Sequence, residues 1–303
     1  MEFTDSFRKE EIRCDFLVSE KRKKVWQTEL QLLLKFDEVC QKHGLTYYAE
    51  YGTLLGAVRH QGFIPWDDDI DLSMPRDDYM KLMEIAPYEF QEPYFFQTTY
   101  NDLIVWSFSK LRDSRTTAIE FTDMNPDFNQ GIFIDIFPLD DAPDGKNFSP
   151  NILAVQKDVW QTVANSKRMR YYVDQGVPFH VAPDILLDLL NLPVRERFRE
   201  FEMLNLSHFG SSEKMNYIIS EIRHSSRSRK KEWYRKTVYL PFEYLKIPAP
   251  ACYDEVLTNQ YINYHVLLKG RSEHGNLFFD TEKPYRYYME HPQEIPAQKD
   301  RVL

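Results

Sequence analysis

The apolar positions of the chain switch between two periods. From Val25 to His43 they fall at Val25, Leu30, Leu33, Leu34, Val39 and Cys40, which is helical spacing, and Gly44 stands where a left-handed cap would close the helix. Leu45 to Tyr51 predicts a strand, and Thr53 to Arg59, just after Gly52, a helical segment. Residues 69–74 (Asp-Ile-Asp-Leu-Ser-Met) alternate strictly and predict a half-buried strand stopped by Pro75, with a helix over Arg76 to Ile85. Tyr94 to Tyr100, Val105 to Leu111 and Ile132 to Phe137 predict further strands, the last ended by Pro138. Helices beside a small mixed sheet define an α+β class for this half.

The second half reads differently. Residues 151–170, 184–205 and Tyr253 to Leu267 predict helices, and Val238 to Ile247 predicts a hairpin arm before Pro248 and Pro250. No Gly/Ser-rich linker divides the chain. The expected layout is an N-terminal arm over 1–24, ending in Lys21-Arg22-Lys23-Lys24, and a single domain over 25–303. Within that domain, 25–145 form the core and 146–303 a helical C-terminal part packed on it.

Composition narrows the function. Of 303 residues, 47 are acidic and 38 basic, a formal charge of −9, which argues against a general nucleic-acid binder. The three cysteines, Cys14, Cys40 and Cys252, form no CxxC pair and fit a reducing compartment. The N-terminus lacks the apolar run of a leader. The most apolar stretch, Val181 to Val194, is broken by Pro183, Asp184, Asp188 and Pro193, so a cytoplasmic protein is expected. The charge is unevenly placed: residues 67–78 hold six aspartates against one arginine, whereas Arg223 to Lys236 hold seven basic residues against Glu232.

The acidic segment carries the candidate chemistry. On a strand, Asp67, Asp69 and Asp71 share one face, with i and i+2 neighbours about 6–7 Å apart at the backbone. Such carboxylates repel one another unless a hard cation, Mg²⁺ or Mn²⁺, lies between them. The segment lacks the sixth-position glycine of a calcium loop, since Leu72 stands there. Upstream, Gly52-Thr53 sits between a predicted strand and a helical turn, where backbone N–H groups can approach a phosphate; it also reads as an ordinary turn. Neither a P-loop nor a dinucleotide fingerprint is present. Arg59 and His60 add candidate donors for phosphate oxygens. In Gly131 to Asp140, Asp135 shares a face with Phe133 and Phe137, so it must be metal-bound or held by buried partners; Asp140 reads as a turn residue.

The run Gly52 to Leu72, with Arg76, Asp78 and Tyr79 after it, resembles the hallmark of the LicD family, which includes bacterial phosphorylcholine transferases and is similar to the fukutin-related proteins. Gly131 to Asp140 resembles that family's second block. Lys231-Glu232-Trp233 through Pro248-Ala249-Pro250 to Tyr253 through Leu257 resembles a third. The resemblance implies a nucleotidyltransferase (DNA polymerase β-like) core. In it Gly52-Thr53 would be the phosphate-side turn, Asp69 and Asp71 the metal-binding pair, Asp135 the third carboxylate and Asp67 a further acid near the metal. It further implies transfer of a phospho-alcohol group from a CDP-activated donor to a sugar hydroxyl of a cell-surface glycan. Arg59, with Lys110 or Arg112, would steady the leaving CMP.

Where the family carries Tyr-Gly-Asp-Tyr-Met, this chain has Tyr261-Ile262-Asn263-Tyr264-His265, which leaves choline as the transferred group open. A choline head would call for an aromatic cage, for which Trp66 and Trp106 are candidates. The basic block Arg223 to Lys236 reads as a contact for anionic lipid at the inner membrane face, as a cover for the donor diphosphate, or as a solvated loop. A DxD glycosyltransferase and a non-catalytic glycan-binding protein are the competing functions.

Overall fold

The computed structural model describes residues 5–119, 128–144, 151–223, 227–270 and 277–297. A short helix α1 (Asp5–Arg8) and a hairpin of β1 (Glu11–Arg13) and β2 (Phe16–Val18) precede the long helix α2 (Glu20–His43). Next come β3 (Tyr48–Ala49), α3 (Tyr51–His60), β4 (Asp71–Pro75), α4 (Arg76–Glu89), β5 (Tyr94–Gln97), β6 (Ser109–Asp113), β7 (Thr117–Ile119) and β8 (Ile132–Ala142). Four helices follow: α5 (Ile152–Ala164), α6 (Ser166–Asp174), α7 (Pro183–Asn191) and α8 (Val194–Leu206). The chain then runs through β9 (Lys214–Asn216), α9 (Ile218–Arg223), β10 (Arg229–Lys230), the hairpin β11 (Thr237–Phe242) and β12 (Leu245–Pro250), α10 (Tyr253–Gln260), β13 (Phe278–Asp280) and α11 (Tyr285–Glu290).

This is an α+β structure with a mixed sheet of seven strands. Its path β10-β9-β8-β4-β3 is joined by β6, which pairs with β8 and with β5. Among the described residues, only β4 and β8 of this sheet run parallel; its other pairs are antiparallel. Period-2 alternation gives the central strands two different faces. Leu72 and Met74 of β4, Ile134 and Ile136 of β8 and Leu111 of β6 pack into the main core with Trp26, Leu30, Leu33 and Phe36 of α2. Each such fully buried side chain contributes roughly 1.5–3 kcal/mol. The opposite face carries Asp71, Asp135, Lys110 and the rings of Phe133 and Phe137. Phe137 and Phe108 enter a second cluster with Phe198, Phe201 and Leu186 from the helical layer.

Several expectations shift. Ser19 caps α2, accepting from the Arg22 backbone N–H, so the basic run 21–24 opens the helix rather than preceding it. The arm is tied down: Phe7 and Val18 are buried, and Arg13 pairs with Glu243 of the β11–β12 hairpin. The two long C-terminal helices each break, at Asn165 and at Leu192-Pro193, where proline forces the preceding residue out of the helical region. The helix from Tyr253 stops at Gln260, and Ile262 is fully exposed. Asp140 is no turn residue. It lies on β8, buried, and takes two hydrogen bonds from Arg76 (2.6 and 2.8 Å), whose guanidinium also reaches Glu202 of α8 (3.2 Å). The C-terminal part is not purely helical, since β9 and β10 extend the main sheet and β13 pairs with β7. No helix among the described residues is long and apolar enough to cross a membrane.

Candidate active site

Two backbone features assemble the site. The first is the start of α3. Tyr51 adopts a left-handed φ of 41°, so the chain turns sharply out of β3 into the helix and brings Gly52 and Thr53 into its first turn. The Thr53 hydroxyl accepts from the Asp71 backbone N–H (2.8 Å), fastening the helix start to the first residue of β4. At Gly52 a β-carbon would lie 2.6 Å from Asp67 Oδ2, so glycine is what lets that carboxylate lie against the helix N-terminus. The second feature is the register of β4 on β8, which sets Asp71 beside Asp135, while β6 on the other side sets Lys110 beside Asp135.

Asp71, Asp135 and Lys110 therefore form one row across three strands. Asp135 is buried and accepts two hydrogen bonds from Lys110 Nζ (2.6 and 2.9 Å). Burial pushes the Asp71 carboxyl well above the usual range, and Asp69, Asp135, Asp67 and Glu50 push it further the same way.

The acids upstream converge by another route than a pleat. The strand begins only at Asp71, so Asp67, Asp68 and Asp69 do not alternate across it. They sit in an irregular turn, closed by the Asp67 N–H to the Ile64 carbonyl (2.9 Å). One ligand oxygen from each of the three lies within 4.8 Å of the others. The Asp67 carbonyl is held by Arg22 Nη1 (2.7 Å) and Trp26 Nε1 (3.0 Å) of α2. Beneath them, Glu29 of α2 is 1% exposed, and its Oε2 is buried without a hydrogen-bond partner. Burial, with Asp69, Asp68 and Asp67, drives its carboxyl well above the ordinary value. Three converging aspartates supply oxygen donors of the kind Mg²⁺ or Mn²⁺ takes, and the orphaned Glu29 oxygen within their electrostatic reach adds a buried carboxyl that a cation would relieve, so the residues fit the metal.

The remaining candidates are placed elsewhere. Arg59 and His60 end α3, seven residues and about 10 Å from Gly52 at helical rise. Arg59 donates to His60 Nε2 (3.0 Å) and to the carbonyls of Tyr264 and Val266 (3.1 and 3.3 Å). Burial, Arg59 and Arg13 hold His60 down to about 4, so its ring is neutral at pH 7. Arg112, two residues from Lys110, donates to Gln97 Oε1 (2.5 Å) and the Gly131 carbonyl (2.6 Å). Trp66 lies in the main core and packs edge-on against Phe16.

Within the basic block, Arg229 is buried and pairs with Glu50, and Lys231 pairs with Asp141; Arg223, Arg227, Lys230, Arg235 and Lys236 are exposed. Residues 224–226 of that block lie outside the described residues.

Sequence reasoning assigned no role to Asp68, Glu29 or Glu50. Glu50 caps α3, accepting from the Tyr51 N–H (3.2 Å), and is gripped by Arg229 Nη1 (2.7 Å) and Gln260 Nε2 (2.8 Å). The one local signal for Glu29 is a charged residue on the apolar stripe of α2, one position before Leu30.

Residues 44–180 match the family described as LicD/FKTN/FKRP, nucleotidyltransferase domain. Over 248 residues it is 26% identical to the lipopolysaccharide cholinephosphotransferase LicD of Haemophilus influenzae, covering 78% of this chain and 88% of that protein. That relative is, by its name, a phosphotransferase. A 57-residue stretch is 47% identical to an uncharacterized protein of Rickettsia prowazekii and 46% to one of Rickettsia typhi, covering 19% of this chain and 21% and 18% of theirs.

Proposed function

We propose that this protein is a metal-dependent phosphotransferase for substituted phosphate groups. It moves a phospho-alcohol, phosphocholine in the first instance, from a CDP-activated donor to a sugar hydroxyl of a cell-surface glycan such as lipopolysaccharide. The observation that carries this reading is the row Asp71–Asp135–Lys110 beside the glycine-opened start of α3, next to the Asp67–Asp69 cluster. The resemblance to a cholinephosphotransferase over most of the chain supports it.

In this reading Asp67, Asp68, Asp69 and Asp71, with Glu29 behind them, hold Mg²⁺ or Mn²⁺. When bound, the cation neutralises charge on the donor's phosphoryl oxygens. The N–H groups of Gly52 and Thr53 face the diphosphate from the helix N-terminus. The acceptor hydroxyl attacks the phosphorus bearing the alcohol, the P–O bond to CMP breaks, and Asp135 takes the hydroxyl proton. Lys110 orients both oxygens of Asp135 for that role. Arg59 and His60 stand outside the reaction at the far end of α3. The exposed members of the basic block, Arg223, Arg227, Lys230, Arg235 and Lys236, face an anionic lipid-linked acceptor at the inner membrane surface.

The test is CMP release from CDP-choline, CDP-ribitol or CDP-glycerol with Mg²⁺ and a glycolipid acceptor. Asp71→Asn and Asp135→Asn should each lower turnover at least about a thousandfold with the fold retained by circular dichroism. Turnover with none of the three donors, or release of UDP or GDP from a sugar nucleotide instead, overturns the proposal.

A further inference from the structure

The chain leaves α10 as an irregular strap, residues 261–270, that turns its aliphatic side chains outward. Ile262 is fully exposed and Leu268 73% exposed, and Val266 and Leu267 are exposed between them. The strap is nonetheless fixed in place. Arg59 Nη1 holds the carbonyls of Tyr264 and Val266, the Tyr264 hydroxyl bonds Asp254 of α10, and Lys269 Nζ donates to the Asp15 carbonyl (2.7 Å). That last bond sets the strap against the β1–β2 hairpin, where Ile12 and Leu17 are exposed as well. Six exposed aliphatics on two tethered neighbours form a patch rather than scattered single residues.

The basic block adjoins this patch. Arg229 and Gln260 grip the two oxygens of one carboxylate, Glu50 (2.7 and 2.8 Å), and Ile262 follows Gln260 by two residues, about 7 Å of extended chain. Exposed Arg227 and Lys230 flank Arg229 in the sequence. At the other end of α10, the Lys236 carbonyl accepts from the Ala251 N–H (2.8 Å), which sets exposed Arg235 and Lys236 beside the helix start. The acids here are Glu232, paired with Lys230, and Asp254 and Glu255 in the first turn of α10, where the helix N-terminus offsets them.

We propose that strap and block together dock on an anionic lipid bilayer. Ile262, Leu267 and Leu268, with Ile12 and Leu17 of the hairpin, enter the boundary between headgroups and acyl chains, while Arg227, Arg235 and Lys236 meet the lipid phosphates. The inference rests on the lipid-linked acceptor of the proposed reaction and adds the element that grips the membrane itself. Charge complementarity selects the occupant: aliphatic side chains edged by basic ones fit a negative headgroup layer over hydrocarbon. A second copy of this chain, meeting the patch about a two-fold axis, would set basic edge near basic edge. Helix α3 joins the surface to the chemistry. Glu50, shared by block and α10, caps its start, where Gly52 and Thr53 lie, and Arg59 at its end pins the strap. A bilayer seated on strap and block therefore runs along α3, about 15 Å long at helical rise, and the donor side of the site stands at its edge.

Flotation of the full chain through a sucrose gradient tests this without any substrate. Vesicles of phosphatidylethanolamine with phosphatidylglycerol are compared with vesicles of phosphatidylcholine alone. Wild type should bind the anionic vesicles at least about tenfold more tightly than the neutral ones, and added salt should weaken that binding. Ile262→Ser/Leu268→Ser should bind anionic vesicles at least about tenfold more weakly than wild type, and so should Arg235→Ser/Lys236→Ser. All four side chains are exposed, so both double variants should keep the circular dichroism and melting of wild type. No flotation of wild type, equal binding to neutral vesicles, or unaltered binding by either double variant overturns the proposal. A wild-type dimer in analytical ultracentrifugation that Ile262→Ser/Leu268→Ser splits also overturns it, because the patch then belongs to a second copy. In turnover, Ile262→Ser/Leu268→Ser should match wild type within about twofold on a water-soluble sugar acceptor and show a KM raised about tenfold on a vesicle-borne glycolipid. Equal losses on both acceptors count against the bilayer contact. Should wild type release CMP from no donor, the phosphotransferase reading fails while flotation still decides whether this surface binds a membrane.

Discussion

Arg229 sits in the basic stretch that reads from sequence as a solvated or membrane-facing surface, yet it is 1% exposed and donates at 2.7 Å to Glu50, itself 1% exposed. Glu50 is the cap of α3, so this pair fastens the C-terminal half to the helix start that presents Gly52 and Thr53. Replacing Arg229 with methionine keeps much of the volume but strands a buried carboxylate. Breaking one side of a buried pair costs about 3–5 kcal/mol. At about 2 °C per kcal/mol for a chain of this size, the melting temperature should fall by roughly 6–10 °C. Glu50→Gln in the same background removes the stranded charge while keeping the bond from Gln260 feasible, and should recover more than half of the loss. The functional mark is separate: an uncompensated Glu50 lifts the Asp71 carboxyl further, so the activity of Arg229→Met should need a higher pH than wild type. Thermal melting by circular dichroism and a pH–rate profile are sufficient assays. The reasoning is refuted if Arg229→Met melts within 2 °C of wild type, at about 1 kcal/mol, or if the double variant is no more stable than the single one.

Other outcomes follow from the same geometry. Glu29 and Asp71 both titrate above their unfolded value of about 4, so the stability they contribute is complete below that pH and is lost as pH rises through their folded values. Mg²⁺ or Mn²⁺ should therefore raise the melting temperature more at pH 7.5 than at pH 5; equal increments at both would contradict the donor set. Gly52→Ala places a β-carbon against the end of the Asp67 side chain, and should weaken Mn²⁺ binding, read by calorimetry, with less than about 1 kcal/mol change in stability. Gly56→Ala instead meets the Gly62 carbonyl at 2.4 Å, and despite alanine's better helix propensity should destabilise by about 1–3 kcal/mol in urea melts. Ser19→Ala removes the cap of α2 and should cost about 1 kcal/mol.

What could be read without coordinates was local. The alternation of Ile132 to Phe137 and of Ile70 to Met74 gives both central strands and their faces, because period 2 is a property of a single segment. The glycine-threonine turn and the aspartates after it were legible for the same reason, though the pleat expected to align Asp67 with Asp69 is replaced by a turn that also recruits Asp68. Pairings across the chain were not legible. Lys110 and Asp135 are 25 residues apart and Glu50 and Arg229 are 179 apart, and no spacing rule selects one buried partner among 38 basic residues. The short strands β9, β10 and β13 escaped because two or three residues carry no period at all. Trp66 and Trp106 looked equivalent as aromatic candidates; burial alone separates a core ring from the half-buried one beside Lys110.

The β4–β8 pairing has a consequence for how this domain tolerates length change. Its two acids come from segments 64 residues apart, and only the ladder Asp71↔Asp135 through Pro75↔Leu139 brings them level. Deleting one residue between Gly131 and Asp135 would point the acid into the Ile134–Ile136 side of the sheet. Deleting two would restore its direction but draw it about 6.6 Å along the strand. Neither error can be absorbed locally, since the greasy side of the same strands fixes the ladder. Loops elsewhere can grow or shrink, but these few residues behave as a ruled scale on which the hydrophobic interior and the reacting groups share the same graduations. Variation that reaches the chemistry must therefore enter by substitution rather than by insertion.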